Sequence, residues 1–303
     1  REEYAKNIGD KEATTVGDDQ GQDNQEDEDT DNVEDGFYPL RQDQFGSWVK
    51  KYWRKIKWPP LSHVKTKDKE NWLLNREILL ESLRLGCTNM AENQLPEGNF
   101  NYQYDFVKRE LDQEDNDVRQ AGALWGISLC YQYDPSNQKY KTAVEKAIRY
   151  FTSRSVPGPL DETLVVQYPD DSARISATGT NALFGLGMLE YLRTVTDGTI
   201  SKDSEVDEDF IHEVRATLQG ILGHLEYMQL PNKHFGQAYR FNTKDKSSEY
   251  SPYYDGEAML CLVKAAKYLE GYDDLIPLIE ETAPILAKAY SIDAWASDRH
   301  DSD

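Results

Sequence analysis

Carboxyl groups next to tyrosines are the side chains of this 303-residue sequence best suited to chemistry. Asp255 and Glu257 follow Tyr253 and Tyr254 directly, and Asp117 lies in a similarly polar segment. Two carboxyl groups that face each other across a bound molecule can serve as a proton donor and as a base or nucleophile, which is what cleavage of a glycosidic bond requires. Asp117, Asp255 and Glu257 are therefore the candidate catalytic residues.

Each of these carboxyl groups also has a purely structural explanation. Aspartate frequently caps the first turn of a helix, and both Asp117 and Asp255 precede apolar runs. Capping is the expected role of Asp117, whereas a structural and a catalytic role remain equally open for Glu257. The position of each residue in its helix decides between a structural and a catalytic role.

The residues around the carboxyl groups are suited to holding a small polar molecule. A sugar ring binds to an aromatic face combined with hydrogen-bonding side chains. The candidate binding residues on this criterion are Tyr102, Tyr104, Arg119, Gln120, Asn181, Tyr253 and Tyr254. Arg119 could also bind a sugar carboxylate with two hydrogen bonds, or form a salt bridge within the protein. The expected partner is a carbohydrate or another small neutral or polar ligand.

Neither a metal site nor a cofactor is expected. The five histidines include no His-Glu-x-x-His pair, and the sequence has no glycine-rich phosphate loop. Cys87, Cys130 and Cys261 are far apart in the sequence, and each lies in an apolar helical pattern. We expect all three to be buried free thiols.

Helices must position these residues, because the apolar periodicity is helical from residue 71 nearly to the end. Seven helices are predicted, with boundaries uncertain by about two to four residues. They cover 73–85, 118–133, 139–153, 176–194, 208–228, 254–269 and 275–290.

The predicted helices alternate in character. Residues 120–133 and 175–189 contain no charged side chain, and the shorter run 258–263 has the same property. The helix at 139–153, by contrast, is amphipathic. Because a helix that is apolar all round is enclosed by protein, inner and outer helices are expected to alternate. The N-termini of the inner helices would then line the mouth of a central cavity.

An internal repeat supports this organisation. A Gln-Leu-Pro segment that leads to a phenylalanine occurs at Gln94 and Phe100, and again 135 residues later at Gln229 and Phe235. Repetition of a short strand, an inner helix and an outer helix is typical of solenoids and closed helical rings.

The two copies of the repeat differ at some positions and agree at others. Phe100 and Phe235 correspond, as do Tyr104 and Tyr239, which indicates shared scaffold. The positions that differ, Gly122 against Glu257 and Gln120 against Asp255, are those at which we expect function.

Three motifs resemble those of the α/α-toroid superfamily. They read Gly98-Asn-Phe-Asn-Tyr-Gln-Tyr104, Asn116-Asp-Val-Arg-Gln-Ala-Gly122 and Tyr253-Tyr-Asp-Gly-Glu-Ala258. The likeness is strongest to poorly characterised six-hairpin glycosidase-like members, and it covers about residues 71–295. It implies an all-α fold, a toroid of alternating inner and outer helices with short connecting strands. A complete ring of this kind holds more than seven helices, so we expect the sequence to be a fragment.

The resemblance also implies a range of activities. The superfamily includes glycosidases and sugar epimerases, so a carbohydrate-active protein with acid–base carboxyl groups at the mouth is the leading hypothesis. A noncatalytic toroid that binds a glycan or a protein is the alternative. The superfamily's isoprenoid cyclases and prenyltransferases are a weaker match, because Asp170-Asp171 and Asp273-Asp274 lack a second motif at a useful spacing.

Composition divides the chain into three regions. Residues 1–36 form an acidic segment that we expect to be disordered, 37–66 a basic and aromatic linker, and 67–303 a partial α/α-toroid domain. The net charge of −21 argues against nucleic acid as a partner, because phosphate binding needs a basic surface. Within the linker, 48–58 could lie on a membrane surface as a basic amphipathic helix, although packing against the body or the acidic segment is the favoured interpretation. The sequence does not indicate a compartment.

Overall fold

The computed structural model of this protein describes residues 76–105, 107–111, 115–167, 174–196 and 207–293. This part of the chain is mostly helical. The predicted acidic segment 1–36, the linker 37–66 with its basic stretch 48–58, and the Asp170-Asp171 pair lie outside the described residues.

Seven α-helices are present in the described residues, as the periodicity predicts. They are α1 (Arg76–Glu92), α2 (Asp117–Tyr133), α3 (Gln138–Thr152), α4 (Thr178–Thr196), α5 (Glu208–Met228), α6 (Pro252–Tyr268) and α7 (Ile276–Ala287). A 3-10 turn, Asp273–Leu275, precedes α7, and a π-helical segment, Lys288–Asp293, follows it. No helix in the described ranges is both long enough and apolar enough to cross a membrane.

Only the first helix departs much from its prediction. It ends at Glu92 rather than at Leu85, and none of its leucines from position 79 to position 85 is buried. Leu79 is 52% exposed and Leu85 is 63% exposed, so burial does not define the limits of this helix.

Short antiparallel strands connect the helices. They pair as β1 (Tyr104–Asp105) with β2 (Glu110–Leu111), β3 (Ser155–Pro157) with β4 (Leu164–Val166), and β6 (Ala238–Arg240) with both β5 (Ile175–Ala177) and β7 (Asp245–Lys246). Ile175 is paired with Arg240, and Ala177 with Ala238. Because β5 runs directly into α4, this sheet ties the start of α4 to the segment that precedes α6.

Helix α4 is the centre of the core and packs against α2, α5 and α6. Every residue from Thr178 to Leu192 is buried, which agrees with its uncharged sequence up to Leu189. The charged exception is Glu190, whose carboxylate is fully buried and binds Arg193 at 2.7 Å as well as the ammonium group of Lys264. These contacts link α4 to α6 and satisfy a charge that would otherwise be costly to bury.

Glycines let the neighbouring helices approach α4 closely on two sides. A Cβ atom added to Gly187 would lie 2.6 Å from Cγ of Leu124 on α2. A Cβ atom added to Gly185 would lie 2.6 Å from Sγ of Cys261 on α6. Because real Cβ atoms do not come this close to other atoms, the packing of α2 and α6 onto α4 requires glycine at both positions.

The two copies of the repeat share a backbone conformation. Gln94 forms a β-bridge with Phe100, and Gln229 forms the equivalent bridge with Phe235. Both phenylalanines are buried, as the scaffold hypothesis predicts. The paired tyrosines differ, since Tyr104 is 44% exposed and Tyr239 is buried.

The cysteines correct one prediction. Cys87 on α1 and Cys130 on α2 form a disulfide bond with their Cα atoms 5.7 Å apart, so the expectation of free thiols is wrong for both. Their separation of 43 residues in the sequence conceals the fact that α1 packs against α2. Cys261 is free and buried, as predicted.

Candidate functional site

The first turns of α2, α4 and α6 meet at one end of the core. The hydroxyl of Thr180, in the first turn of α4, donates a hydrogen bond of 2.6 Å to Oδ2 of Asp117, the first residue of α2. Gly179, the neighbour of Thr180, contacts the first turns of α6. Residues from three separate helices therefore surround one small region.

Tyr254 and Glu257 of α6 pack against the bare backbone of Gly179. A Cβ atom on Gly179 would lie 2.5 Å from Cδ1 and Cε1 of the Tyr254 ring and 2.7 Å from Oε2 of Glu257. Any side chain at position 179 would displace one or both of them. The glycine therefore determines where the phenol and the carboxyl group are placed.

Glu257 has the electrostatics of a proton-transfer group. Its side chain is half-buried, and within the described residues Oε2 is shielded from solvent and has no hydrogen-bond partner. Burial disfavours the ionised carboxylate and raises the pKa of Glu257 to about 7. Both protonation states are therefore populated near neutral pH.

The hydroxyl of Tyr254 is close enough to both carboxyl groups to be affected by their charges. Burial raises the pKa of its hydroxyl, and the negative charges of Asp117 and Glu257 raise it further. The phenol therefore stays protonated and available as a hydrogen-bond donor. The effect of both charges on one hydroxyl shows that Asp117 and Glu257 share the same region.

Asp117 does not cap α2, so the capping prediction for it is wrong. The cap is Asn116, whose Oδ1 accepts a hydrogen bond of 3.0 Å from the backbone N–H of Arg119. Because the neighbouring residue performs that function, the carboxylate of Asp117 is left to reach across to α4. Sequence alone did not distinguish two adjacent residues that both favour the cap position.

Asp255 and Gln120, which differ between the repeat copies, have the same local role. Oδ1 of Asp255 accepts a hydrogen bond of 2.6 Å from the backbone N–H of Phe235. Oε1 of Gln120 accepts one of 2.8 Å from the backbone N–H of Phe100. Both side chains are buried, so each fixes the strand that precedes its helix.

Asn181 is also buried and bonded to the backbone. Its Oδ1 accepts a hydrogen bond of 2.9 Å from the backbone N–H of Val166. Its Nδ2 donates to Oγ of Ser176 and to the carbonyl of Ala177, each at 2.9 Å. The amide thus joins β4 and β5 to the first turn of α4.

The remaining predicted binding residues lie nearer the surface. Tyr253 is 79% exposed, Tyr104 is partly exposed and Tyr102 is half-buried. The exposed guanidinium of Arg119 lies 5.5 Å from the centre of the Tyr102 ring. Among the described residues no carboxylate forms a salt bridge with it, so the alternative of a salt bridge is not seen there.

A cluster around His234 was not foreseen from the sequence. Nδ1 of His234 lies 2.6 Å from Oδ2 of Asp255, and the hydroxyl of Tyr290 donates to the same oxygen. The ring of Tyr250 stacks on the imidazole with a centroid distance of 3.8 Å. Only the proximity of His234 to Phe235 in the repeat could have indicated the contact, since Tyr290 lies beyond the repeat.

A cavity of about 550 Å³ lies apart from this site. Its lining includes His212, Arg215 and Glu226 of α5 and Asp274 of the 3-10 turn. None of its lining residues belongs to the candidate site. In the described ranges no group of three or more His, Cys, Asp or Glu side chains is arranged to hold a metal ion.

Comparisons with known proteins give two structural similarities. No protein-family model and no curated protein matches the sequence. The chain is similar to a solved D-mannose isomerase at 12% identity and a TM-score of 0.49, over 71% of this chain and 50% of that one. It is also similar to a sugar epimerase from a ruminal bacterium at 15% identity and a TM-score of 0.49, over 66% of this chain and 53% of that one. The chain spans about half the length of these two structures.

Proposed function

We propose that this chain is a carbohydrate-active protein of the sugar epimerase or glycosidase type, in which Glu257 transfers a proton to or from a bound sugar. The observation that carries the proposal is the environment of Glu257. Its pKa is about 7 and its shielded Oε2 has no hydrogen-bond partner among the described residues. Buried structural carboxyl groups are normally paired, whereas an acid–base group needs a pKa near the working pH.

Tyr254 and Asp117 complete the proposed site. The protonated hydroxyl of Tyr254 donates a hydrogen bond to a sugar oxygen and stabilises negative charge that develops there. Asp117, oriented by Thr180, is the second carboxyl group. In hydrolysis Glu257 protonates the leaving oxygen while Asp117 acts as the base or nucleophile. In epimerisation Glu257 takes the proton from a carbon atom next to a carbonyl group, and the C–H electron pair forms an enolate whose oxygen accepts from Tyr254. A proton from water then returns to the opposite face of that carbon atom.

The surrounding surface favours a sugar as the substrate. The tyrosines at positions 102, 104 and 253 offer aromatic faces, and Arg119 offers hydrogen-bond donors. A ring with hydroxyl groups on its edge and an apolar face matches this combination of groups. The donors and acceptors lie within three first turns of helices, where backbone N–H groups also favour oxygen ligands.

The fold proposed for the whole domain is an α/α toroid, in which α2, α4 and α6 are the inner helices. Three observations support it. The three helices begin at the same end, α4 is enclosed along its length, and α3 buries its apolar face while exposing its charged one. Short strands precede both α4 and α6, as the repeat predicts.

The test of the proposed function is the conversion of sugars by the wild type and by the Glu257→Gln variant. A panel of reducing monosaccharides and oligosaccharides is incubated with each protein, and products are identified by NMR. We expect the wild type to convert at least one sugar. The variant keeps the shape of the side chain but cannot exchange a proton, so its kcat should fall by about 100-fold or more.

A matched variant controls for general effects of removing a carboxylate. Glu280 is an exposed glutamate on α7, so Glu280→Gln should retain wild-type kcat. The melting temperature of Glu257→Gln should remain close to that of the wild type. A wild type that converts no sugar, or full activity in Glu257→Gln, would contradict the proposal.

A noncatalytic glycan-binding protein is the second candidate. It is favoured by the exposure of Tyr253, which presents most of its ring to solvent on the first turn of α6. Such a protein would show heat of binding with an oligosaccharide and would lose it in Tyr253→Ala, without any product in either case.

A further inference from the structure

Asp255 is a buried carboxylate with three donors. Its side chain is fully buried, and it accepts hydrogen bonds from the backbone N–H of Phe235, from Nδ1 of His234 and from the hydroxyl of Tyr290. Burial of a carboxylate is costly unless its oxygens are satisfied in this way. The buried charge of Asp255 therefore needs an explanation beyond packing.

The first copy of the repeat shows that anchoring the strand does not require a charge. At the equivalent position the neutral amide of Gln120 accepts from the N–H of Phe100 at 2.8 Å and donates to its carbonyl at 2.7 Å. The second copy replaces this amide with an aspartate and has a histidine where the first copy has Asn99. The His234–Asp255 pair is therefore an addition to the scaffold rather than a part of it.

The contacts determine the protonation pattern of His234. An ionised carboxylate only accepts hydrogen bonds, so Nδ1 carries the proton that points to Asp255. In the neutral imidazole the lone pair then lies on Nε2. Among the described residues nothing hydrogen-bonds to Nε2, and the side chain as a whole is 9% exposed. Stacking on Tyr250 keeps the ring in place.

This imidazole is tied to the same helix end as the proposed site. Two residues after His234, the carbonyl of Gly236 accepts a hydrogen bond of 2.5 Å from the hydroxyl of Thr178, the first residue of α4. Thr178 precedes Gly179, against which Tyr254 and Glu257 pack. The segment that carries His234 is therefore hydrogen-bonded to the first turn of α4.

We infer that His234 is a second proton-transfer group at this helix end, a base whose lone pair on Nε2 is maintained by Asp255 as its positioning residue. The O–H bond of a bound hydroxyl group breaks, the proton forms an N–H bond at Nε2, and the electron pair stays on the oxygen. The imidazolium ion that forms is balanced by the carboxylate of Asp255. Only the identity of the hydroxyl compound as a sugar rests on the proposed function.

The first test needs no substrate. Two-bond ¹H–¹⁵N spectra of the ¹⁵N-labelled full chain, recorded across pH 5 to 9, report which ring nitrogen of each histidine carries the proton. His234→Asn identifies the signals of His234. We expect the neutral ring in the wild type to be protonated on Nδ1. A neutral ring protonated on Nε2 would overturn the inference.

Asp255→Gln removes the negative charge but keeps an oxygen that can accept from the N–H of Phe235. Gln120 anchors Phe100 in this way in the first copy of the repeat. We expect this variant to fold, as judged by circular dichroism, and the neutral ring of its His234 to lose the preference for a proton on Nδ1, because an amide can donate as well as accept a hydrogen bond. An unchanged preference for Nδ1 in a folded variant would overturn the inference. If the variant does not fold, the tautomer of His234 in the wild type and the turnover of His234→Asn test the inference.

Turnover provides the second readout. With a sugar that the wild type converts, His234→Asn should lower kcat by about 100-fold or more while KM changes little, and Asp255→Gln should also lower kcat. An unchanged kcat in His234→Asn would overturn the inference. If the wild type converts no sugar, the proposed function fails, whereas the tautomer in the wild type and in Asp255→Gln still decides whether Nε2 of His234 carries the lone pair described here.

Discussion

Asp255 and Glu257 are two residues apart on the first turns of α6, yet their carboxyl groups are in opposite environments. Asp255 accepts three hydrogen bonds, whereas Oε2 of Glu257 accepts none within the described residues. Hydrogen bonds stabilise the ionised form, and burial without them stabilises the neutral form. This contrast supports the proposal that Asp255 is a positioning residue and that Glu257 is a group that exchanges a proton.

His224 provides a prediction at the residue scale, because its imidazole is fully buried and neither ring nitrogen has a partner in the described ranges. Burial lowers its pKa to about 3. Between pH 6.5, the ordinary pKa of histidine, and about pH 3, His224 binds a proton in the unfolded chain but not in the folded protein. The free energy of unfolding therefore decreases as the pH falls from about 6.5 toward 3. We expect His224→Phe to raise the melting temperature more at pH 5 than at pH 8.

The measurement is thermal unfolding at the two pH values. Phe is chosen because it keeps an aromatic ring where the ring of His224 packs against the rings of Tyr227 and Tyr239. His212→Asn is the control, because His212 is exposed. This variant should show the same difference in melting temperature between pH 5 and pH 8 as the wild type. An equal gain for His224→Phe at both pH values would argue against a buried neutral histidine.

At this scale the sequence predicted which residue types do chemistry but not their partners. It singled out Glu257 because a glutamate follows two tyrosines near a helix start. It did not indicate that Thr180 binds Asp117, or that Asp255 meets His234, because those contacts join residues from different elements. Asn116 is the cap because α2 begins at Asp117. If the helix began one residue later, Asp117 would be the cap instead.

At the element scale, the close contact between α4 and α6 at Gly179 positions the proposed site, and it predicts the effect of adding one methyl group. Alanine normally stabilises a helix relative to glycine by about 1 kcal/mol. At Gly179 the added Cβ atom would collide with the side chains of Tyr254 and Glu257. We expect Gly179→Ala to destabilise the protein by roughly 1–3 kcal/mol, as overpacking does.

The control is Gly256→Ala on α6, because no atom lies within 4 Å of a Cβ atom at that position. That variant should be as stable as the wild type or more so. Urea unfolding of both variants measures the difference. A Gly179→Ala variant as stable as Gly256→Ala would show that Tyr254 and Glu257 do not pack on α4 as described.

The disulfide between α1 and α2 is the second feature of the elements that can be tested. A covalent link across 43 residues restricts the unfolded chain and stabilises the folded one by roughly 2–4 kcal/mol. We expect a reducing agent to lower the urea midpoint of the wild type by a corresponding amount. The Cys87→Ser/Cys130→Ser double variant should unfold at the midpoint of the reduced wild type and should not respond to the reducing agent. An identical midpoint for oxidised and reduced wild type would contradict the bond.

A helix or strand could be predicted from the sequence when the residues of its own segment are enough to determine it. Amphipathic or uniformly apolar periodicity located all seven helices, and α5 was predicted with its observed limits. Strands of two or three residues carry too little periodicity to be found in this way. The pairing of Cys87 with Cys130 depends on which helices become neighbours, so it could not be obtained from spacing.

For the whole molecule, the internal repeat was the most informative feature of the sequence. It placed Phe100 and Phe235 at equivalent points, and the structure confirms that both are buried and bridged to a glutamine. The repeat also led to the comparison of Gln120 with Asp255, which shows that the second copy carries a charge that the scaffold does not need. The net charge of −21 is consistent with a ligand that is not an anionic polymer.

The measurement that tests the central claim most directly is the pH dependence of sugar turnover by the wild type and by Glu257→Gln. With a pKa of about 7 for Glu257, we expect kcat of the wild type to change about tenfold per pH unit on one side of a midpoint near pH 7. A decline above the midpoint identifies Glu257 as a proton donor, and a decline below it identifies a proton acceptor. The residual activity of Glu257→Gln should lack this midpoint. A midpoint near pH 7 that persists in Glu257→Gln and disappears in His234→Asn, or the absence of any turnover, would contradict the assignment of Glu257 as the acid–base group.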